Sequence, residues 1–245
     1  MSIPKIVMQT YKNYNIPKEW QSSKQAIQTY MPHWTYVFMT DTDNEQFVST
    51  HFPQLLEWYK NLPYPIQRAD VIRYMWLYIN GGLYVDMDIE IKVSLDPLFY
   101  HASNIMLVKA PQNLVGHYTN FLMASSKNNP LWLQVLKECQ KQLAWWVILP
   151  HHIISQQTGI AALNRAIHKV GTDIYPFPYE CIVPCDYCNQ QACSRPYFYT
   201  KFLKGQSWNK MDTAFLNFLV CNLQELVIVA LGLIVFFILR QTKNR

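Results

Sequence analysis

The sequence predicts an α/β fold, and three observations carry that prediction. Short apolar runs rich in β-branched and aromatic residues alternate with longer stretches of helical period. Gly, Pro, Asn and Asp punctuate the joins. Half of the 245 residues are apolar and 15% are aromatic, which supplies a sizeable core and excludes a disordered chain.

The elements follow in order. "KIVMQT", Lys5 to Thr10, reads as a first strand. Pro17 suits the first turn of a helix running toward Tyr30. "TYVFMT" is a second strand, followed by "DTDN" as turn and helix cap. "FPQLLEWYKNL" continues as a helical hairpin, and the Pro63 and Pro65 pair breaks it. From Ile66 to Asn80 the side chains Ile72, Met75, Trp76 and Ile79 recur at helical spacing, and Gly81-Gly82 stops that helix. "LYVDM" is then a buried strand, and "IEIKVS" continues extended. Helices are expected from Pro130 through Leu143 and from Ala161 to His168, with short strands up to Phe202.

Asp86 and Asp88 form the chemical focus. Residues i and i+2 of a strand point to one side, so both carboxylates face one way as the strand ends. Ligands of open α/β sheets bind beyond the carboxyl ends of strands. Two hard oxygen donors there suit Mg²⁺ or Mn²⁺ carrying a diphosphate. Asp41-Thr42-Asp43 repeats the pattern but reads better as helix capping before Asn44. Asp70 and Arg73 lie three apart on one helix face. Spacing alone makes them a surface salt bridge. The helix, Gly-Gly and Asp-x-Asp that follow favour a donor pocket, in which an Arg meets a metal-bound diphosphate and Asp70 accepts sugar hydroxyls.

The segment "RADVIRYMWLYINGGLYVDMDIE", Arg68 to Glu90, closely resembles the sugar-binding region of the family 32 glycosyltransferases, which includes fungal α-mannosyltransferases and inositol-phosphoceramide mannosyltransferases. The resemblance implies a GT-A fold, Rossmann-like with a mixed sheet and flanking helices. It implies a metal-dependent, retaining transfer of a hexose from a UDP- or GDP-sugar to a glycan or lipid hydroxyl. "IPKIVMQTYK" looks like the family's opening strand, with Met8 in place of a His and Tyr11 at the position that stacks on the base. "NNPLWLQVL", "QQTGIAAL" (Ile160 replacing a Pro) and "KGQSWNK" match more loosely. The resemblance thus gives Asp86 and Asp88 the metal, Mn²⁺ or Mg²⁺. Asp70 and Arg73 go to the donor sugar and phosphate, and Tyr11, Gln9, Arg68 and Tyr84 to the donor pocket. Ser207 and Trp208 become a closing lid. The His that relatives carry before that Trp is missing, and Lys201 or Lys204 is the substitute. A catalytically inactive sugar- or lipid-binding protein of the same fold is the alternative.

Two domains are expected, a transferase domain over residues 1–210 and a membrane anchor with a basic tail over residues 211–245. "LVIVALGLIVFFIL", Leu226 to Leu239, is uncharged and precedes "RQTKNR". The apolar patch at the N-terminus is too short for a signal peptide. A single-pass, tail-anchored protein follows, facing the cytosol or within the endomembrane system. The formal charge of +5 fits anionic phosphates or lipid headgroups, and no basic block argues for nucleic acid. Four of the six cysteines, Cys181, Cys185, Cys188 and Cys193, fall in "CIVPCDYCNQQAC" as disulfides, zinc ligands or free thiols.

Overall fold

A computed structural model describes residues 2–100, 104–110, 117–171, 173–182 and 199–203, with isolated positions between 214 and 227. The strands are β1 (Ile6–Thr10), β2 (Thr35–Met39), β3 (Gly82–Val85), β4 (Ile89–Ile91), β5 (Ile105–Lys109), β6 (Tyr118–Ser125), β7 (Tyr175–Phe177) and β8 (Thr200–Phe202). The α-helices are α1 (Gln21–Tyr30), α2 (Asp41–His51), α3 (Leu56–Lys60), α4 (Pro65–Asn80), α5 (Pro130–Cys139), α6 (Pro150–Gln157), α7 (Ile160–Val170) and α8 (Tyr179–Ile182). Six strands form one mixed sheet in the order β2-β1-β3-β6-β5-β7, and β4 pairs with β8 apart from it.

Strand alternation divides the core. Met8, Tyr84 and Met123 face one layer with α2, α4, α5 and α7, whereas Val7, Leu83, Val85 and Leu122 face α1 and the small sheet. β1 is parallel to both neighbours, β2 on one side and β3 on the other. The chain therefore leaves β1 in one direction and returns to its other side. This reversal opens a crevice at the carboxyl ends of β1 and β3.

Helix α4 sits deepest. Val71, Ile72, Tyr74, Met75 and Leu77 are fully buried. At about 1.5–3 kcal/mol per side chain, they contribute on the order of 10 kcal/mol. This is enough to hold polar groups of the same helix out of water. Gly81 closes α4 at φ 65°, and Gly82 follows at φ 92°. A Cβ on Gly82 would stand 2.4 Å from the Ile6 carbonyl oxygen, so β1 and β3 reach this register because the residue is glycine.

Several expectations shift. Pro17 precedes a single 3-10 turn, Lys18–Trp20, and α1 starts only at Gln21. Helix α5 ends at Cys139 rather than Leu143. Only Ile89–Ile91 of "IEIKVS" is strand, and it pairs in the separate sheet. Strands β5 and β6 and helix α6 were not foreseen; none shows a period distinct from its flanks. Cys139 and Cys181 are free thiols. Cys185, Cys188 and Cys193, the closing Ser207 and Trp208, Lys204 and nearly all of Leu226–Leu239 lie outside the described residues. Among the described residues no helix is long and apolar enough to cross a membrane.

Candidate active site

The crevice at the carboxyl ends of β1 and β3 holds a cavity of about 400 Å³. Thr10, Tyr11 and Lys12 wall it from β1, and Tyr84, Asp86, Met87 and Asp88 from β3. The first turns of α4 add Tyr64, Pro65, Ile66 and Ala69, with Arg73 deeper in, and α6 adds Pro150 and Ile154. Trp20 and Asp41 complete the lining.

β3 ends at Val85, so Asp86 and Asp88 are not both strand residues. Alternation still places Asp86 beside Tyr84, whose hydroxyl donates to Asp86 Oδ1 at 2.5 Å. A turn then begins, with the Ile89 amide donating to the Asp86 carbonyl. The turn, rather than the pleat, brings Asp88 into the same cavity. Its backbone is pinned on several sides. Phe121 accepts from the Asp86 amide at 2.8 Å, and the Leu203 amide donates to the Asp88 carbonyl at 2.7 Å. The Gln9 amide donates to the Asp86 carbonyl at 3.3 Å.

Arg73 joins the helix to the strand end. Its Nη1 lies 3.0 Å from Asp86 Oδ1 and its Nη2 3.1 Å from Asp70 Oδ1. The guanidinium lies over the Tyr84 ring at 4.6 Å and donates to the Asn120 carbonyl at 2.9 Å. Burial opposes its charge, but Asp86, Tyr84 and Asp70 together hold its pKa above the ordinary arginine value.

Asp70 differs from expectation. It is buried and its oxygens are taken: Asn120 Nδ2 donates to Oδ1 at 3.0 Å and Thr158 Oγ1 to Oδ2 at 2.9 Å. Burial raises its pKa to about 6, against the pull of Arg73. The pair is therefore not a surface salt bridge, and Asp70 orients Arg73 instead of facing the cavity. Arg68 is elsewhere, donating to the Leu62 carbonyl at 2.9 Å below the start of α4. Gln9 is fully buried and bonded to Ser23 and Tyr36, so it supports the turn from behind. Lys201 lies in register with Glu90 on the small sheet, away from the two carboxylates.

Burial, and then the charge on Asp86, pushes Asp88 up to about 7. Burial also raises Asp86, against Arg73 and the Tyr84 hydroxyl. Asp88 makes no ion pair among the described residues. Two carboxylates, Asp86 paired with Arg73 and Asp88 unpaired among the described residues, thus line one open cavity, an oxygen-donor set that a hard divalent cation would complete. Among the described residues no three His, Cys, Asp or Glu side chains stand together as a fuller site. Across the cavity Tyr11 packs edge to face on Trp20, with centroids 5.6 Å apart.

Residues 17–104 match the family model for the glycosyltransferase sugar-binding region containing DXD motif. Over these residues the chain is similar to that family. An inositol phosphoceramide mannosyltransferase of Schizosaccharomyces pombe is 28% identical over 97% of this chain and 64% of its own length. A mannosyl phosphorylinositol ceramide synthase of Saccharomyces cerevisiae is 29% identical over 97% of this chain and 61% of its own. The chain thus spans under two thirds of the length of these relatives. Among solved structures, the PaToxG glycosyltransferase shares the fold with a TM-score of 0.51 at 15% identity, covering 69% of this chain and 70% of its own. The glycosyltransferase domain of the YGT toxin does so with a TM-score of 0.51 at 8% identity, covering 76% and 84%.

The matched region contains α4, β3 and both carboxylates of the Asp-x-Asp, but not Asn120 or Thr158. Asn120 was missed by sequence reasoning. Its only signal is a polar residue within the apolar run of β6, and a surface position would look the same. Thr158 lies in "QQTGIAAL", where the likeness to a family motif assigns it no role. Asp43 is the helix cap expected of it, bonded to the Thr40 amide at 2.9 Å. Asp41, grouped with it as a cap, instead lines the cavity.

Proposed function

We propose that this glycosyltransferase-family chain moves a hexose from a nucleotide sugar to an acceptor hydroxyl, with a divalent metal held by Asp86 and Asp88. The observation that carries this reading is the convergence of both carboxylates and Arg73 on one cavity, at the reversal point of the sheet, opposite the Tyr11–Trp20 pair. A bound Mn²⁺ or Mg²⁺ would neutralise charge on the leaving diphosphate. Arg73, held by Asp70 and Asp86, adds fixed positive charge where phosphate oxygens gather, and needs no rearrangement to do so. Tyr11 and Trp20 supply a flat apolar wall for the base. The lip formed by Pro150 and Ile154 keeps water from the reacting carbon.

Retention of configuration is what the family resemblance implies. With both Asp70 oxygens already bonded, the acceptor hydroxyl itself would attack the sugar carbon on the face from which the diphosphate leaves. The names of the fungal relatives favour mannose as the sugar and an inositol phosphoceramide-type lipid as acceptor. Residues 1–210 form the transferase unit in this reading, Ser207 and Trp208 close the donor site, and Leu226–Leu239 anchors the chain in an endomembrane.

The test is donor hydrolysis and transfer by the purified chain, with GDP-mannose and UDP-glucose, with and without Mn²⁺. Asp88→Ala should abolish both reactions and remove metal-dependent donor binding by calorimetry. An Asp88→Ala chain with wild-type turnover would refute the assignment.

A further inference from the structure

Residues 140–149 join α5 to α6 as an irregular segment, and its side chains do not enter the core. Trp145 is 86% exposed, Ile148 73%, Trp146 63% and Leu149 39%. Single apolar residues on a surface need no explanation, but four large ones within five positions do. The two indoles lean edge to face on each other, with centroids 5.7 Å apart.

Cations stand beside this loop. Lys141, Arg165 and Lys169 reach the Glu138 carboxylate at 2.7, 3.4 and 2.9 Å. Three positive charges on one negative leave a local surplus, and the two lysines are about half exposed while Glu138 is wholly buried. Glu138 thereby fixes cations at the surface that would otherwise swing freely. Trp146 and Val147 share a hollow of about 310 Å³ with Lys141, His152, Gln156 and Arg165, so apolar and basic groups adjoin. The loop runs into α6, whose Pro150 and Ile154 wall the carboxylate cavity.

We infer that residues 143–149 dock this protein on a bilayer surface containing anionic phospholipid, with the two indoles and Ile148 in the interfacial layer and Lys141, Arg165 and Lys169 against lipid phosphates. Indole suits that depth because its ring is apolar and its N–H still finds water or headgroup oxygens. The positive surplus gives the matching attraction to an anionic leaflet. The run from Gln142 to Pro150 carries no acidic side chain that such a surface would repel. Docking through this loop turns the α6 lip of the cavity toward the lipid. The contact is separate from Leu226–Leu239 and needs no nucleotide sugar, so its failure is distinct from failure of the transferase reading.

The full chain is mixed with vesicles of phosphatidylcholine alone, or of phosphatidylcholine with phosphatidylinositol, without donor. Amide hydrogen exchange is then followed peptide by peptide. Peptides covering 142–149 and the start of α6 should lose exchange on the mixed vesicles and less so on the neutral ones. That protection should vanish in Trp145→Ser/Trp146→Ser. Should that double variant fail to fold, Ile148→Ser takes its place, and the wild-type comparison reads independently. Co-sedimentation without protection at 142–149 would overturn the inference, because the contact would lie elsewhere. Equal protection on both vesicle types would overturn the role of the cations. Protection that rises with protein concentration and no lipid would make the loop an interface between two copies.

Discussion

Arg73 stands between two carboxylates with almost no access to water, and that burial decides what its loss would do. An exposed helix pair is worth about 0–1 kcal/mol, whereas removing one partner of a buried pair costs about 3–5 kcal/mol because the other charge is stranded. Arg73→Met should therefore lower the melting temperature by on the order of 10 °C as well as remove activity. Thermal unfolding by circular dichroism checks this, and an unchanged melting temperature would mean that Asp70 and Asp86 find other partners. Asp88 behaves in the opposite way. It has no ion pair among the described residues and is crowded by Asp86, so Asp88→Ala should hold stability within about 0.5 kcal/mol while abolishing turnover. Side by side, the two variants separate a charge that builds the site from a charge that serves the ligand.

From α4 into β3 the chain reverses on Gly81 and on Gly82, the first residue of the strand, and both must be glycine. Gly82→Ala forces a positive φ on a residue with a Cβ, at about 1–3 kcal/mol, and drives that atom into the Ile6 carbonyl. β1 and β3 would separate at their amino ends, and the shift would pass along the short β3 to Tyr84 and Asp86 at the cavity. The expected result is loss of both stability and donor binding, seen as a lower urea midpoint together with weaker nucleotide-sugar affinity. The start of α2 offers a contrast. Thr40 and Asp43 form a reciprocal capping box at the helix N-terminus. Asp43→Ala should cost about 1 kcal/mol of stability and leave turnover intact. If Asp43→Ala is inactive yet melts like the wild type, the distinction between the two Asp-x-Asp sequences is wrong.

Across the whole molecule, α5 and α7 are fastened by Glu138 and its three cations. Burial works to raise the Glu138 pKa, but hydrogen bonds from Lys141, Lys169 and Gln134 outweigh it and hold the value at about 2, against an ordinary 4.5. The depressed carboxyl stabilises the fold fully above 4.5, and that contribution fades as pH falls toward 2. The melting temperature of the wild type should drop over this range by more than that of Glu138→Gln, which cannot titrate there. Because the lysines are half exposed, added salt should shrink the difference. Parallel acid limbs for the two proteins would remove Glu138 from the account.

Much of this protein was legible in its sequence because the signals were local. Helical period and a glycine stop gave α4. Apolar runs gave β1, β2 and β3. Two carboxylates two residues apart, after such a helix and strand, marked the resemblance to the family and the pair proposed to hold a metal. Tertiary structure decided what the neighbours of those residues are. Asp70 and Arg73 carry the same spacing whether exposed or buried, and only the packing of α4 under β6 makes them a buried pair with Asn120 and Thr158, which lie 50 and 88 residues beyond Asp70. Arg68 sits one turn earlier on the same helix and turns away to the Leu62 carbonyl. Asp88 enters the cavity through a turn that alternation does not encode. A one-dimensional pattern reports which side of its own element a residue occupies. The sheet order, which returns the chain to the far side of β1, determines what that side faces.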